Sequence, residues 1–280
     1  MKNLLLVMGL FLSLAISAQN KEAPIQVEVY GKGDPVLLIP GFTVPGSGWD
    51  EVVSYLEPHF KCHVVSLAGF GDVPPVDFPW LPKVNEALRE YIQAKNLKNL
   101  SLMGHSLGGT LALDLASKLP EHISQLIIVD ALPATGALFF PNFNPDALGY
   151  DSAYNNQQLA LDDTAFEAMA AQIAQGMSLK PEAQQRIKKW IVEADRKTYV
   201  YGYTDYLKFD VRESLKTISI PVTILAADTP YGEEGVRQTY TSQYANLADY
   251  ELVIARDAAH FVMYDQPEWF NTQLQRLLDF

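Results

Sequence analysis

One cysteine, Cys62, stands in 280 residues, so the chain can form no internal disulfide and no cysteine-built zinc site. Basic residues are outnumbered. The 21 Lys and Arg against 33 Asp and Glu leave a net charge of −12, and an acidic surface of that size repels phosphate backbones and anionic headgroups. Nucleic acid is therefore not an expected partner. No dinucleotide fingerprint, metal box, internal repeat or low-complexity linker is found, so neither a cofactor nor a metal is expected. What the chain does have is apolar bulk: 48% apolar and 19% charged residues, enough for a large core and too apolar for a disordered chain. Its length fits one large domain, or a core domain with an insertion.

The N-terminus reads as an address. Lys2 precedes the apolar run Leu4–Ile16, and the small residues Ser17 and Ala18 come before polar Gln19 and Asn20, the order of a secretory signal. The run falls short of the roughly 20 residues needed to span a bilayer, and no second one follows. A soluble exported protein, cleaved near Ala18, is expected, with a membrane anchor as the alternative. The sequence carries no signal of oligomeric state.

Beyond this segment, two periods alternate. Ile25, Val27 and Val29 alternate with polar residues and run into Gly31-Lys32-Gly33-Asp34, so an edge hairpin is expected to open the domain. Val36–Ile39, His63–Val65, Leu100–Met103, Leu126–Val129, Val222–Leu225 and Leu252–Ile254 are continuously apolar or nearly so, the pattern of parallel strands buried on both faces. Helical patterns lie between them, over Trp49–Leu56, Val84–Leu97, Gly108–Leu119, Gly235–Ala245 and Pro267–Leu278. The alternation predicts a three-layer α/β fold around a mostly parallel sheet, with ligands at the carboxyl ends of the strands. Only residues 132–214 break it. They hold no buried strand pattern but two helices, Asp162–Met177 and Pro181–Ala194, and the tyrosines Tyr199, Tyr201, Tyr203 and Tyr206. That is too long for a loop and reads as a helical cap over the ligand crevice. The expected division is a signal segment over 1–18, core over 19–131, cap over 132–214 and core again over 215–280.

Gly104-His105-Ser106-Leu107-Gly108 follows one apolar run and opens a helix of small residues, the G-x-S-x-G pattern in a strand–turn–helix setting. The turn is so tight that only glycine fits beside it, and it presents the serine hydroxyl at a helix N-terminus. With this motif the chain resembles the α/β-hydrolase fold family, in particular its capped group with a G-H-S-x-G elbow. The resemblance covers nearly the whole chain after the signal and implies a serine hydrolase with Ser106 as nucleophile. Leu37–Phe42 is similar to the family's oxyanion strand, with Pro40 where histidine is usual, and Ser66–Gly71 to its D-x-x-G-x-G loop, with serine in the aspartate position. Oxyanion donors are backbone N–H groups, so Phe42 and Leu107 can supply them whatever their side chains.

The remaining triad members come from the same resemblance. Asp257–Phe261 followed by Gln266-Pro267-Glu268 resembles the family's terminal histidine loop, which makes His260 the general base. An imidazole suits that work near neutral pH. For the acid the family most often uses a G-x-x-D stretch after the strand at Val222–Leu225, where this chain reads Ala226-Ala227-Asp228. A minority, including the haloalkane-dehalogenase-like branch, place it one strand earlier, at Asp130. Asp130 is the preferred acid and Asp228 the alternative. Serine at the elbow disfavours epoxide and haloalkane hydrolysis, which leaves acyl transfer to water: ester, lactone, thioester, amide or an activated C–C bond. Phe42, Trp49, Phe70, Phe139, Phe140, Phe143 and the tyrosines suggest an apolar pocket, hence a carboxylesterase-like enzyme for a small hydrophobic ester. A non-catalytic binding protein on the same fold is the reading from another class.

Overall fold

Residues that are apolar on successive positions need a partner on both faces, and here they build the interior of a seven-stranded sheet. The computed structural model describes residues 23–140 and 142–280; the apolar run Leu4–Ile16 and the cleavage site near Ala18 lie outside the described residues. In chain order the first half holds β1 (Ile25–Gly31), β2 (Pro35–Ile39), α1 (Asp50–Leu56), β3 (Lys61–Leu67), α2 (Trp80–Ala94), β4 (Leu100–His105), α3 (Leu107–Lys118) and β5 (Ile123–Val129). Helices α4 (Thr135–Phe139), α5 (Ala153–Leu159), α6 (Asp163–Met177), α7 (Pro181–Glu193) and α8 (Tyr203–Lys208) follow without an intervening strand among the described residues. The chain then returns to the sheet with β6 (Val222–Ala227), α9 (Gly232–Gln243), β7 (Glu251–Ala255), α10 (Val262–Asp265) and α11 (Pro267–Leu278).

The strand order is β1-β3-β2-β4-β5-β6-β7, parallel throughout except for β1. This corrects the expected hairpin: β1 pairs antiparallel with β3, not with β2. The reason lies in the side chains. Cys62, Val64, Val65 and Leu67 are buried on alternate sides of β3, so that strand belongs between two neighbours, whereas β1 exposes Glu28 and suits an edge. Period-two alternation then sorts the core into two layers. Leu37 and Ile39 of β2 join α2 and α3 on one face, and Val36 and Leu38 join α1 and α11 on the other.

Helices α6 and α7 extend the second layer, their Phe166, Ala170, Ile187 and Ile191 packing in one cluster with Trp49 and Val262. A longer-range device fixes the first. Helix α2 starts at Trp80, four residues before the sequence pattern places it. The Asp205 carboxylate, beyond the end of β5, accepts from the Trp80 and Leu81 N–H groups at 2.7 and 3.2 Å. It thereby supplies the N-terminal acceptor that Pro79 cannot. No helix among the described residues is long and apolar enough to cross a membrane.

Candidate active site

The chain visits β2, crosses to β3 on one side and then to β4 on the other, so the strand order reverses at β2/β4. The crevice at the carboxyl ends of those strands is where such sheets bind ligands. Ser106 stands there, between β4 and α3, with φ 54° and ψ −124°. A non-glycine residue held at positive φ stores on the order of 1–3 kcal/mol, which the surrounding structure must overcome. It does so by packing. A Cβ on Gly104 would lie 2.2 Å from the Gly108 carbonyl oxygen, and one on Gly108 would lie 2.2 Å from that of Ile39, so neither position admits a side chain. The Ser106 N–H donates to the Val129 carbonyl at 2.9 Å, pinning the turn to β5.

The end of β2 presses on the same turn. A Cβ on Gly41 would come within 3.2 Å of the Ser106 Cβ, so the backbone leading to Phe42 runs directly beside the serine. Among the described residues neither the Phe42 N–H nor the Leu107 N–H has a hydrogen-bond acceptor. Two unpaired donors thus flank Ser106, one from the turn after β2 and one at the first position of α3.

His260 lies in the loop after β7. Its Nδ1–H donates to Asp130 Oδ2 at 2.7 Å, which leaves Nε2 as the acceptor. Asp130 follows β5 directly, at φ 42°, and its other oxygen accepts from the Ala227 N–H and the Tyr240 hydroxyl, both at 3.0 Å. Burial works to raise the Asp130 carboxyl, but the His260 hydrogen bond and charge and the Ala227 N–H outweigh it and hold it below the usual carboxylate range. Among the described residues Asp228 makes no hydrogen bond to His260. It accepts from the Thr229 hydroxyl at 3.2 Å and the Ala258 N–H at 3.3 Å, and so braces the loop that leads to His260.

Several contacts carry no signature in the sequence. Tyr240 comes from α9, whose amphipathic pattern marks it only as a core residue. Its phenol is expected to matter energetically, because a hydrogen bond to a charged group contributes about 1.5–3 kcal/mol. Tyr240→Phe should lose stability of that order, read as a lower Tm at pH 7. Asp265, also buried, accepts from the Ala259 N–H at 2.8 Å and from the Ser178 hydroxyl and the Leu179 N–H, tying the His260 loop to the α6–α7 turn. The Phe261 N–H adds a bond to the Met177 carbonyl at 2.9 Å. His105, before the serine, donates from Nε2 to the His260 carbonyl at 2.9 Å. Burial, followed by the nearby His260, pushes its imidazole down to about 3, so it stays neutral and serves as packing.

The aromatic residues divide. Phe42 packs edge-on against Phe70 and Trp80, with centroids 5.0 and 5.9 Å apart, and also meets Tyr199 and Tyr203. Trp49 is buried edge-on to His105, and Phe143 packs over Gly136 of α4. Phe139 and Phe140 are exposed. A cleft of about 730 Å³ on the outer face, lined by Leu81, Asn85, Asp114, Lys118, Tyr150 and Phe209 among others, includes none of Ser106, Asp130 and His260.

Known proteins share this framework. An esterase from Exiguobacterium antarcticum superposes with a TM-score of 0.76 over 91% of this chain and 96% of its own, at 19% identity. The enol-lactonase from Burkholderia xenovorans gives 0.75 over 91% and 96%, at 15% identity. In sequence, the pimeloyl-[acyl-carrier protein] methyl ester esterase of Vibrio cholerae is 28% identical over 257 residues, spanning 88% of this chain and 95% of the relative. The family-wide pattern of the alpha/beta hydrolases matches residues 36–273, from β2 into α11. The chain belongs to the alpha/beta hydrolase family.

Proposed function

We propose that this hydrolase cleaves a small, largely hydrophobic carboxylic ester through an acyl-enzyme on Ser106. The observation that carries the reading is the 2.7 Å contact from His260 Nδ1 to Asp130, which leaves Nε2 free as a base. Ser106 attacks the ester carbonyl while His260 Nε2 takes its proton. The Phe42 and Leu107 N–H groups donate hydrogen bonds to the tetrahedral oxyanion, and Asp130 stabilises the imidazolium as it forms. The proton passes from Nε2 to the departing alkoxide, giving the alcohol, and water then releases the acid by the same steps in reverse order. The relatives named as methyl ester esterases support ester cleavage over the other acyl bonds. The apolar wall of Phe42, backed by Phe70 and Trp80, supports a small hydrophobic group. In the same reading residues 132–214 form a cap that covers the crevice, and the mature protein acts after export.

A fluorophosphonate probe tests the reading directly, because it reacts only with an activated serine. Stoichiometric labelling of Ser106, located by peptide mass spectrometry and lost in Ser106→Ala, is the expected result. A folded protein that stays unlabelled would instead be a binding protein on this fold.

A further inference from the structure

Residues 196–208 form a continuous helical run, widened to a π-turn over Thr198–Gly202 before it becomes α8. Tyr199, Tyr203 and Tyr206 recur at i, i+4 and i+7 along it, which brings the three onto one face. That face meets the site. Tyr199 and Tyr203 lie against Phe42 with centroids 6.1 and 5.4 Å away, and Tyr203 is 6.1 Å from Tyr206. Gly202 lets the run approach closely: a Cβ there would lie 3.3 Å from the Trp80 ring and 3.4 Å from the Phe42 ring.

The helix is held at both ends. The Asp195 N–H donates to the Gly69 carbonyl at 2.9 Å, and the Asp195 carboxylate caps Thr198 through its N–H and hydroxyl, both at 2.8 Å. At the other end Asp205 caps α2 and accepts from the Tyr150 hydroxyl at 2.6 Å. The tyrosine stripe is therefore preorganised rather than free to swing away.

The three phenols differ in what they touch. The Tyr206 hydroxyl oxygen accepts from the Thr135 hydroxyl at 2.8 Å. The hydroxyls of Tyr199 and Tyr203 have no hydrogen-bond partner among the described residues, although both side chains are half-buried. Burial pushes the Tyr199 hydroxyl up to about 12, and raises that of Tyr203 as well, so both remain O–H donors at neutral pH. An alkyl chain laid along Phe42 would strip water from these donors and offer nothing in return, and an unpaired buried donor is more costly than a made bond is favourable. Sites built in this way discriminate strongly against ligands that lack the matching acceptor.

We infer that the ester taken by this site carries a second oxygen acceptor, a carbonyl or similar group, in the portion that lies along Phe42, where the Tyr199 and Tyr203 hydroxyls bind it. The inference rests on the reading of Ser106 as an acyl-transfer nucleophile and narrows its substrate class from plain alkyl esters to oxo-substituted ones.

A matched substrate series separates the two. One arm uses p-nitrophenyl esters of straight-chain acids with a single oxo group moved from C4 to C8, each against its all-carbon counterpart. A second arm uses acetates of the corresponding oxo-alcohols and plain alcohols, followed by acid release. The expected result is a position in one arm where the oxo ester exceeds its counterpart by about tenfold or more in kcat/KM. Tyr203→Phe and Tyr199→Phe, which keep the rings and whose folding is checked by thermal unfolding, should bring that ratio toward one by lowering turnover of the oxo ester and raising that of the alkyl ester. Equal use of oxo and alkyl esters at every position, or a preference that both variants retain, would overturn the inference while Ser106 labelling still upheld esterase action. No turnover in either arm together with no labelling would overturn both.

Discussion

Ser106→Ala is expected to lower turnover of a p-nitrophenyl ester by about 10⁴-fold or more, and His260→Ala by nearly as much, because nucleophile and base act as one unit. Neither loss is expected to add to the other: the double variant should be no slower than the single ones by more than a small factor. In the proposed mechanism what remains comes from the Phe42 and Leu107 N–H groups and from binding, which neither substitution removes. Residual activity within about tenfold of wild type in either variant would show that another group performs the attack. Backbone strain provides an internal control. Alanine keeps the Cβ that makes φ 54° costly, whereas glycine relieves it. Ser106→Gly should therefore be as inactive as Ser106→Ala but melt at a higher temperature, since relief of about 1–3 kcal/mol exceeds the roughly 0.5–1 kcal/mol entropic cost of glycine. An inactive variant that is also more stable cannot owe its inactivity to unfolding.

How much of this site could be read from the chain follows from how local each part is. The elbow is legible because a tight turn demands glycine on both sides within five residues, and Gly104 and Gly108 meet backbone atoms just where a Cβ would stand. The parallel strands are legible because burial on both faces leaves an unbroken apolar run. Tyr240, Asp205 and Asp265 are not, because each acts across the fold: Tyr240 reaches Asp130 from 110 positions away and Asp205 caps a helix 125 positions earlier. Nothing near them in sequence marks a tyrosine in an amphipathic helix as a carboxylate's partner. The misread hairpin has the same origin. Gly31 and Gly33 permit a turn, but which strand β1 joins depends on β3, whose two buried faces claim the place beside β2.

Asp130→Asn is expected to lower kcat far more than Asp228→Asn, by up to about 10⁴-fold against a loss of tenfold or less. The carboxylate does two things that an amide cannot. In the proposed mechanism it fixes the proton on His260 Nδ1, so that Nε2 faces the reaction as a base, and it stabilises the imidazolium once the serine proton has moved. Asparagine can present its NH₂ to Nδ1 and so select the wrong tautomer, which is why a change of a single atom type costs so much. Asp228 makes no hydrogen bond to His260 among the described residues, and its Oδ1 holds the Thr229 hydroxyl and the Ala258 N–H, so its loss should loosen the loop and appear chiefly in Tm. The acid limb of stability distinguishes the two in a second way. Because the Asp130 carboxyl is held below its ordinary value in the folded protein, its contribution is fully present above the unfolded pKa, about 3.9, and is lost as pH falls through the lower folded value. The Tm difference between wild type and Asp130→Asn should therefore narrow as pH falls below about 4. If instead Asp228→Asn gave the larger fall in kcat, the acid would belong to the loop after β6 and Asp130 would be a bracket between β5 and α9. Comparable large losses in both would mean that the Asp228 brace and the Asp130 hydrogen bond position His260 jointly, through the same loop.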